Sequence, residues 1–136
     1  MRLQLGLITR LNWLQLSVLL LLNPNAPRKV TNVKSTNITP TGADISWNSV
    51  TGANSYVIRY GVDGQTNDRL HYSETASFTL DDAVFAGELA GLKVNVYIQA
   101  FEKIYTGSDD IAKANAAMVD NADVWSNVCT IDFPSK

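Results

Sequence analysis

Hydrophobic and polar residues alternate in short runs along residues 27–136. The alternation has a period of two in residues 43–47, in residues 56–60 and most clearly in residues 94–100, and this period is typical of strands that bury one face. Turn sequences such as Asp-Gly at 63–64 separate the runs, because Gly accepts the positive φ of a tight turn. The pattern predicts one all-β domain built as an antiparallel sandwich.

Residues 1–26 follow a different pattern. Leucines alternate with Gln4 and Gly6 at the start, and from Leu11 onward apolar residues fall near helical spacing. We therefore divide the chain into an apolar N-terminal arm, residues 1–26, and a sandwich domain, residues 27–136. The arm residues predicted to bind a partner are Leu3, Leu5, Leu7, Trp13, Leu19, Leu20, Leu21 and Leu22.

A secretory signal peptide is the alternative interpretation of residues 1–26. Arg2 and Arg10 would form its charged region and residues 11–22 its apolar region. The cleavage site is poor, because Pro24 and Pro27 flank the candidate cut after Ala26. A membrane-spanning helix is disfavoured, since Arg10 divides the apolar run and a bilayer needs about 20 largely apolar residues.

One block of the sandwich carries a family signature. Trp47 ends a predicted strand, and Tyr56, Ile58 and Tyr60 form a Tyr-x-Ile-x-Tyr pattern in the next. This block resembles the second and third strands of a fibronectin type III domain, an immunoglobulin-like β-sandwich. The resemblance covers roughly residues 27–133. It implies seven strands, the last at residues 126–131, and a core position for Trp47, Tyr56 and Tyr60.

The resemblance has two departures. Val94 stands where the family has a corner tyrosine, and the turn before it is enlarged. The connection between the last two strands, residues 102–123, is far longer than the two to five residues of a hairpin. The Ala-rich residues 111–118 follow two aspartates and predict a short helix with acidic capping. Long loops on a rigid sandwich often bind partners, and Tyr105 and Trp125 flank this one as candidate contacts.

Composition argues against catalysis and against several partner classes. The 136 residues carry a formal net charge of −2, with a single Cys, Cys129, and a single His, His71. No phosphate-binding glycine loop or catalytic motif occurs. We therefore predict a protein that is not an enzyme and has no catalytic residue, no cofactor and no metal site. A basic stripe for nucleic acid is also missing.

Charge is distributed unevenly between the two segments. Residues 1–26 contain two Arg and no acidic residue, a net of +2, whereas residues 27–136 contain nine basic and thirteen acidic residues, a net of −4. An apolar, basic arm beside an acidic sandwich favours a non-catalytic structural and interaction protein that docks on a larger assembly. Single sandwiches of the resembled class occur on bacteriophage virions, so we expect a capsid, neck or tail accessory protein located in the virion.

The alternative function follows from the signal-peptide interpretation. The chain would then be a secreted or surface-attached adhesion or carbohydrate-binding module, and its partner would be a cell-surface glycan. The two hypotheses differ in the fate of residues 1–26, which are retained in the first and removed in the second.

Overall fold

The computed structural model describes residues 28–136. Within them the chain forms seven strands, two α-helices and a short 3₁₀-helix, Met118–Asp120. The strands are β1 (Lys34–Thr39), β2 (Gly42–Ser46), β3 (Ser55–Val62), β4 (Arg69–Ser73), β5 (Ser77–Asp81), β6 (Lys93–Phe101) and β7 (Cys129–Asp132), and the helices are α1 (Asp82–Phe85) and α2 (Asp110–Ala117). The N-terminal arm, with its eight predicted docking residues, lies outside the described residues.

The strands form two sheets. One has three strands in the order β1-β2-β5, and the other has four in the order β4-β3-β6-β7. All pairings are antiparallel. The structure confirms the prediction of a seven-stranded antiparallel sandwich with a short helix in the long connection.

The core lies between the two sheets and follows the predicted alternation. Ile58 on β3 pairs with Ile98 on β6, and both side chains are fully buried. Trp47 packs edge-on against Tyr56, with 5.3 Å between ring centroids. The buried members of this cluster are Val30, Ala43, Ile45, Trp47, Tyr56, Ile58, Tyr60, Leu80, Phe85, Leu89, Val94, Val96, Ile98, Ala100, Ile131 and Phe133. The core positions predicted for Trp47, Tyr56 and Tyr60 are confirmed.

The enlarged turn before β6 contains helix α1, which the sequence pattern did not predict. Asp81 caps this helix by accepting a hydrogen bond from the Val84 amide at 2.8 Å. Asp82 accepts another from the Leu89 amide at 3.0 Å, and Phe85 and Leu89 are buried in the core. Buried apolar side chains and two aspartates therefore hold this turn. The chain has Val94 at the position of the corner tyrosine, so the hydroxyl of that tyrosine is not available to hold it.

The last strand begins later than predicted. Residues 126–131 were expected to pair throughout, but β7 starts at Cys129. The reason is Ser126, which is buried and bonds Ile98 twice: its hydroxyl accepts from the Ile98 amide, and its own amide donates to the Ile98 carbonyl, both at 2.9 Å. The Ile98 amide thus donates to a side-chain hydroxyl, where in a continuous strand pair it would donate to a backbone carbonyl of β7. The connection from β6 to β7, which we term the link, consequently spans residues 102–128.

Helix α2 occupies the predicted part of the link, shifted by one residue. Asp109 is its N-cap: the backbone is extended, and the carboxylate accepts a hydrogen bond from the Ala112 amide at 2.7 Å. Asp110 adds a negative charge in the first turn, where the helix dipole favours one. Among residues 28–136, no helix is long and apolar enough to cross a membrane.

Loss of the Asp109 cap is expected to destabilise the domain modestly. Asp109→Ala should lower the free energy of unfolding by about 0.5–2 kcal/mol, because an amide in the first turn of α2 loses its acceptor. Asp109→Asn should retain most of the stability, since Asn caps helices about as well as Asp. Urea unfolding followed by circular dichroism measures both changes. Equal losses in the two variants would contradict a capping role.

Candidate interaction surface

The link packs on the outer face of the four-stranded sheet and creates a second apolar cluster. From the strands, Val57, Tyr72 and Phe101 contribute buried side chains, and from α2, Ala114 and Ala117 contribute theirs. In an antiparallel sheet with one solvated face, strand positions facing away from the core would meet water. Here the helix covers them, and its small alanines allow close approach to the strands. The sandwich therefore has a third layer on this face.

Buried polar groups fix the far end of the link. Gln99 is 2% exposed, although it faces away from the main core. Its amide nitrogen donates to the Asn121 side-chain oxygen at 2.8 Å, and its oxygen accepts from the Ala122 amide at 3.0 Å. Both ends of the Gln99 amide are thus satisfied, which a buried polar side chain requires. The sequence offered one signal for this role, a Gln in the middle of an apolar strand.

Tyr105, a predicted partner contact, is half-buried against the domain itself. Its ring meets Phe101 and Tyr72 edge-on, at 5.8 and 6.5 Å between centroids. Its amide donates to the Tyr72 hydroxyl at 3.0 Å, and its own hydroxyl donates to Asp120 at 2.6 Å. Burial, followed by the hydrogen bond and charge of Asp120, raises the pKa of the Tyr105 hydroxyl. Tyr105 therefore connects the start of the link to Asp120, which follows α2.

The Tyr105 hydrogen bond also acts on its acceptor. It lowers the pKa of the Asp120 carboxyl, with a further contribution from Lys103, whose ammonium lies 3.5 Å from the same oxygen. Asp120 consequently stays ionised at neutral pH and keeps a negative charge on the surface of the link.

Trp125, the second predicted contact, is also half-buried. The Arg59 guanidinium lies between two rings, 4.5 Å from the centroid of Tyr97 and 4.5 Å from that of Trp125. The Trp125 ring nitrogen donates to Asp123 at 3.1 Å. Cation–π contacts of this kind stabilise by about 0.5–2 kcal/mol. The geometry assigns both aromatic residues a role in packing the link, and their contact with a partner stays a prediction.

The solvent-facing side of the link carries apolar residues that the sequence analysis did not single out. Ile104 is 60% exposed, Ile111 52%, Val119 85%, Val124 38% and Val128 50%, and the one other large exposed hydrophobic residue among the described residues is Ile38. The link also carries five acidic residues and two Lys, a net of −3. We term the side chains of Ile104, Ile111, Val119, Val124 and Val128 the link surface.

The remaining reactive side chains are engaged in packing. His71 packs against Phe78, with 4.9 Å between ring centroids and the rings tilted by 44°, and its Nδ1 lies 3.9 Å from Asp110. A shallow pocket of about 270 Å³ next to α2 is lined by Tyr72, Ser73, Glu74, Asp110 and Lys113. The Lys113 ammonium lies 4.0 Å from an Asp110 oxygen, so these two charges form an ion pair at the pocket. No cluster of metal-ligand residues occurs within residues 28–136.

Cys129 is expected to react slowly with alkylating reagents. It is half-buried, and burial raises the pKa of its thiol. Because the thiolate is the nucleophile, a raised pKa lowers the reactive fraction at pH 8. The rate of iodoacetamide alkylation of the folded chain should therefore rise with pH, and the midpoint of that rise should lie above the ordinary thiol pKa of about 8.5. The same chain in urea is the control, and a folded-state midpoint at or below 8.5 would contradict this environment.

The architecture defines a class of fold, a fibronectin type III-like sandwich of the immunoglobulin-like type. Solved structures support this assignment. The chain is similar to a structure described as a myokine, with a TM-score of 0.54, 15% identity, and coverage of 80% of this chain and 99% of that one. It is also similar to the FN5 domain of Drosophila Lar, with a TM-score of 0.52, 16% identity, and coverage of 81% and 99%.

A third similar structure comes from a computer-based redesign of a β-sandwich protein. Its TM-score is 0.52 at 17% identity, with 79% of this chain and 96% of that chain covered. At sequence identities this low, the structural similarity establishes a common fold and nothing about function. No protein-family model matches the chain, and no curated protein matches it.

Proposed function

We propose that the protein is a non-catalytic interaction module, attached by residues 1–26 to a larger protein assembly. The observation that carries the proposal is the apolar sequence of residues 1–26, next to a domain whose two sheets and core lie within the described residues. The buried core of the sandwich runs from Val30 to Phe133, so the described residues supply both of its layers. The arm, with its eight predicted docking residues and net charge of +2, would supply the contact with the partner.

The energetics of the arm favour attachment to protein. Burial of each large apolar side chain stabilises by about 1.5–3 kcal/mol, so contact with an apolar protein surface favours docking of the leucine-rich parts of the arm. The two arginines of the arm would meet carboxylates on the partner. A virion, at its capsid, neck or tail, is the assembly we propose, on the resemblance drawn from the sequence.

The described chemistry supports a non-catalytic role. Asp81 and Asp109 cap helices, and burial raises the pKa of Cys129. A catalytic site instead brings a nucleophile, a base and an orienting group within hydrogen-bond reach of one another. The one imidazole of the chain, that of His71, packs against the Phe78 ring.

Cosedimentation tests the proposed function. The full chain, purified with the assembly from cells that make it, should keep Met1 or Arg2 as its N-terminus by mass spectrometry. Replacement of Leu19, Leu20, Leu21 and Leu22 by Ser should release it from the assembly, whereas the matched surface change Ile38→Ser should not. A mature N-terminus near residues 24–28 would overturn the proposal and favour the secreted adhesion or carbohydrate-binding module.

A further inference from the structure

The link surface concentrates exposed apolar side chains on one layer of the molecule. Scattered apolar residues are ordinary on protein surfaces, whereas a concentration of them marks an interaction site. Ile104 and Val119 each adjoin one member of the Lys103–Asp120 ion pair, whose charged atoms are 3.5 Å apart. The ion pair therefore brings together the two segments of the link that carry Ile104 and Val119. Val124 and Val128 follow on the same segment, on either side of the buried Ser126.

Charge indicates what kind of segment this surface fits. The link has a net charge of −3, with acidic residues at 102, 109, 110, 120 and 123. A complementary partner combines apolar side chains with basic ones and carries no acid. Residues 1–26 of this chain have that composition, since they contain Arg2 and Arg10, no acidic residue and the eight apolar residues predicted to dock.

The arm joins the domain beside the link. The Lys29 ammonium donates to the Asn127 side-chain oxygen at 2.8 Å, so the first described residues lie next to Val128. The start of the link lies beside the start of β3, because Asn54 donates to the Glu102 carbonyl at 2.7 Å. Residues 23–27 can span at most about 16–18 Å when extended. That length keeps Leu22 close to the part of the link around Asn127.

We propose that residues 1–26 dock on the link surface of their own chain. The inference rests on the proposed function in one respect, because both require that residues 1–26 are not cleaved from the chain. Covalent connection through a short linker supplies a local concentration in the millimolar range, which favours the chain's own arm over that of another copy. Docking shields the leucines while the protein is free, and binding to the assembly displaces the arm, because the same side chains cannot contact both surfaces.

Amide hydrogen exchange on the recombinant full chain tests this docking, with mass-spectrometric readout of peptides from residues 1–26. In the unmodified chain, amides of the arm should exchange at least tenfold more slowly than in an unstructured peptide. Ile104→Asp combined with Val119→Asp should abolish that protection, because two charges enter the apolar surface. The matched control Ile38→Asp places a charge on an exposed isoleucine of β1 and should leave the protection unchanged.

Each other outcome overturns the proposal. Equal protection of the arm in the unmodified chain and the double variant would mean that it docks elsewhere, and rapid exchange in the unmodified chain would mean that it does not dock. Protection that rises with protein concentration would assign the surface to a second copy. Exchange in β3 and β6 serves as the internal check that the variants fold. Since no assembly is present, failure here leaves the cosedimentation result, and with it the proposed function, unaffected.

Discussion

Phe101→Ala is expected to lower the free energy of unfolding by about 3–5 kcal/mol, the usual cost of removing a buried phenylalanine. Phe101 is 4% exposed and lies on the outer face of the four-stranded sheet, where the link covers it. Its ring contacts Tyr105 edge-on at 5.8 Å. Truncation opens a cavity between β6 and the link, and it also removes the aromatic partner that holds the start of the link. Urea unfolding monitored by tryptophan fluorescence measures the loss.

The control for this prediction is Val119→Ala. Val119 belongs to the same layer but is 85% exposed, so its truncation should change stability by less than about 0.5 kcal/mol. If Phe101→Ala also costs less than about 1 kcal/mol, its side chain is solvated as in a sandwich with an open outer face. The packing of the link described above would then be wrong.

Ala114→Glu is expected to cost about 3–5 kcal/mol, the range measured when a charge is left buried without a partner. Ala114 is fully buried where α2 packs against the sheet, in the cluster that includes Val57 and Tyr72. A carboxylate there must either be desolvated or force the helix off the strands. In the folded variant its pKa should lie above the ordinary glutamate value of about 4.3. The electrostatic part of the cost is therefore fully present well above that raised pKa and diminishes as the pH falls toward 4.3.

Asn115→Glu is the matched control, since it introduces the same side chain at the next position of α2, which is exposed. It should change the free energy of unfolding by less than about 0.5 kcal/mol. Comparable losses in the two variants would show that the cost comes from the charge on the helix and not from burial. The packing of α2 on the sheet would then contribute little to stability.

The strands and the main core could be predicted because both follow from local patterns. Alternation placed Ile58 and Ile98 on inward faces, and Asp109 with Asp110 before an Ala-rich run predicted a capped helix. These signals depend on residues close in the sequence. Helix α1 was missed because its four residues are too few to show a helical period, and its stability comes from tertiary burial of Phe85.

The outer layer could not be predicted, because alternation distinguishes two strand faces but does not say what covers each. Val57 and Gln99 face away from the main core, and their burial depends on link residues that are distant in the sequence. Gln99 bonds Asn121 and Ala122, and Val57 lies in one cluster with Ala114. Aromatic residues were the predicted partner contacts, because aromatic side chains dominate interfaces in general. The structure uses Tyr105 and Trp125 to pack the link and leaves smaller aliphatic residues exposed.

The central claim is that the link forms an integral layer of the sandwich and presents its surface from a fixed position. Amide hydrogen exchange of the full chain, resolved by residue in α2, tests it most directly. The amides of Ala114 and Ala117 should exchange only when the whole domain unfolds. Their protection should therefore equal that of the Ile58 and Ile98 amides in β3 and β6. Exchange of the two alanine amides at the rate of an unstructured peptide, with β3 and β6 still protected, would contradict the account.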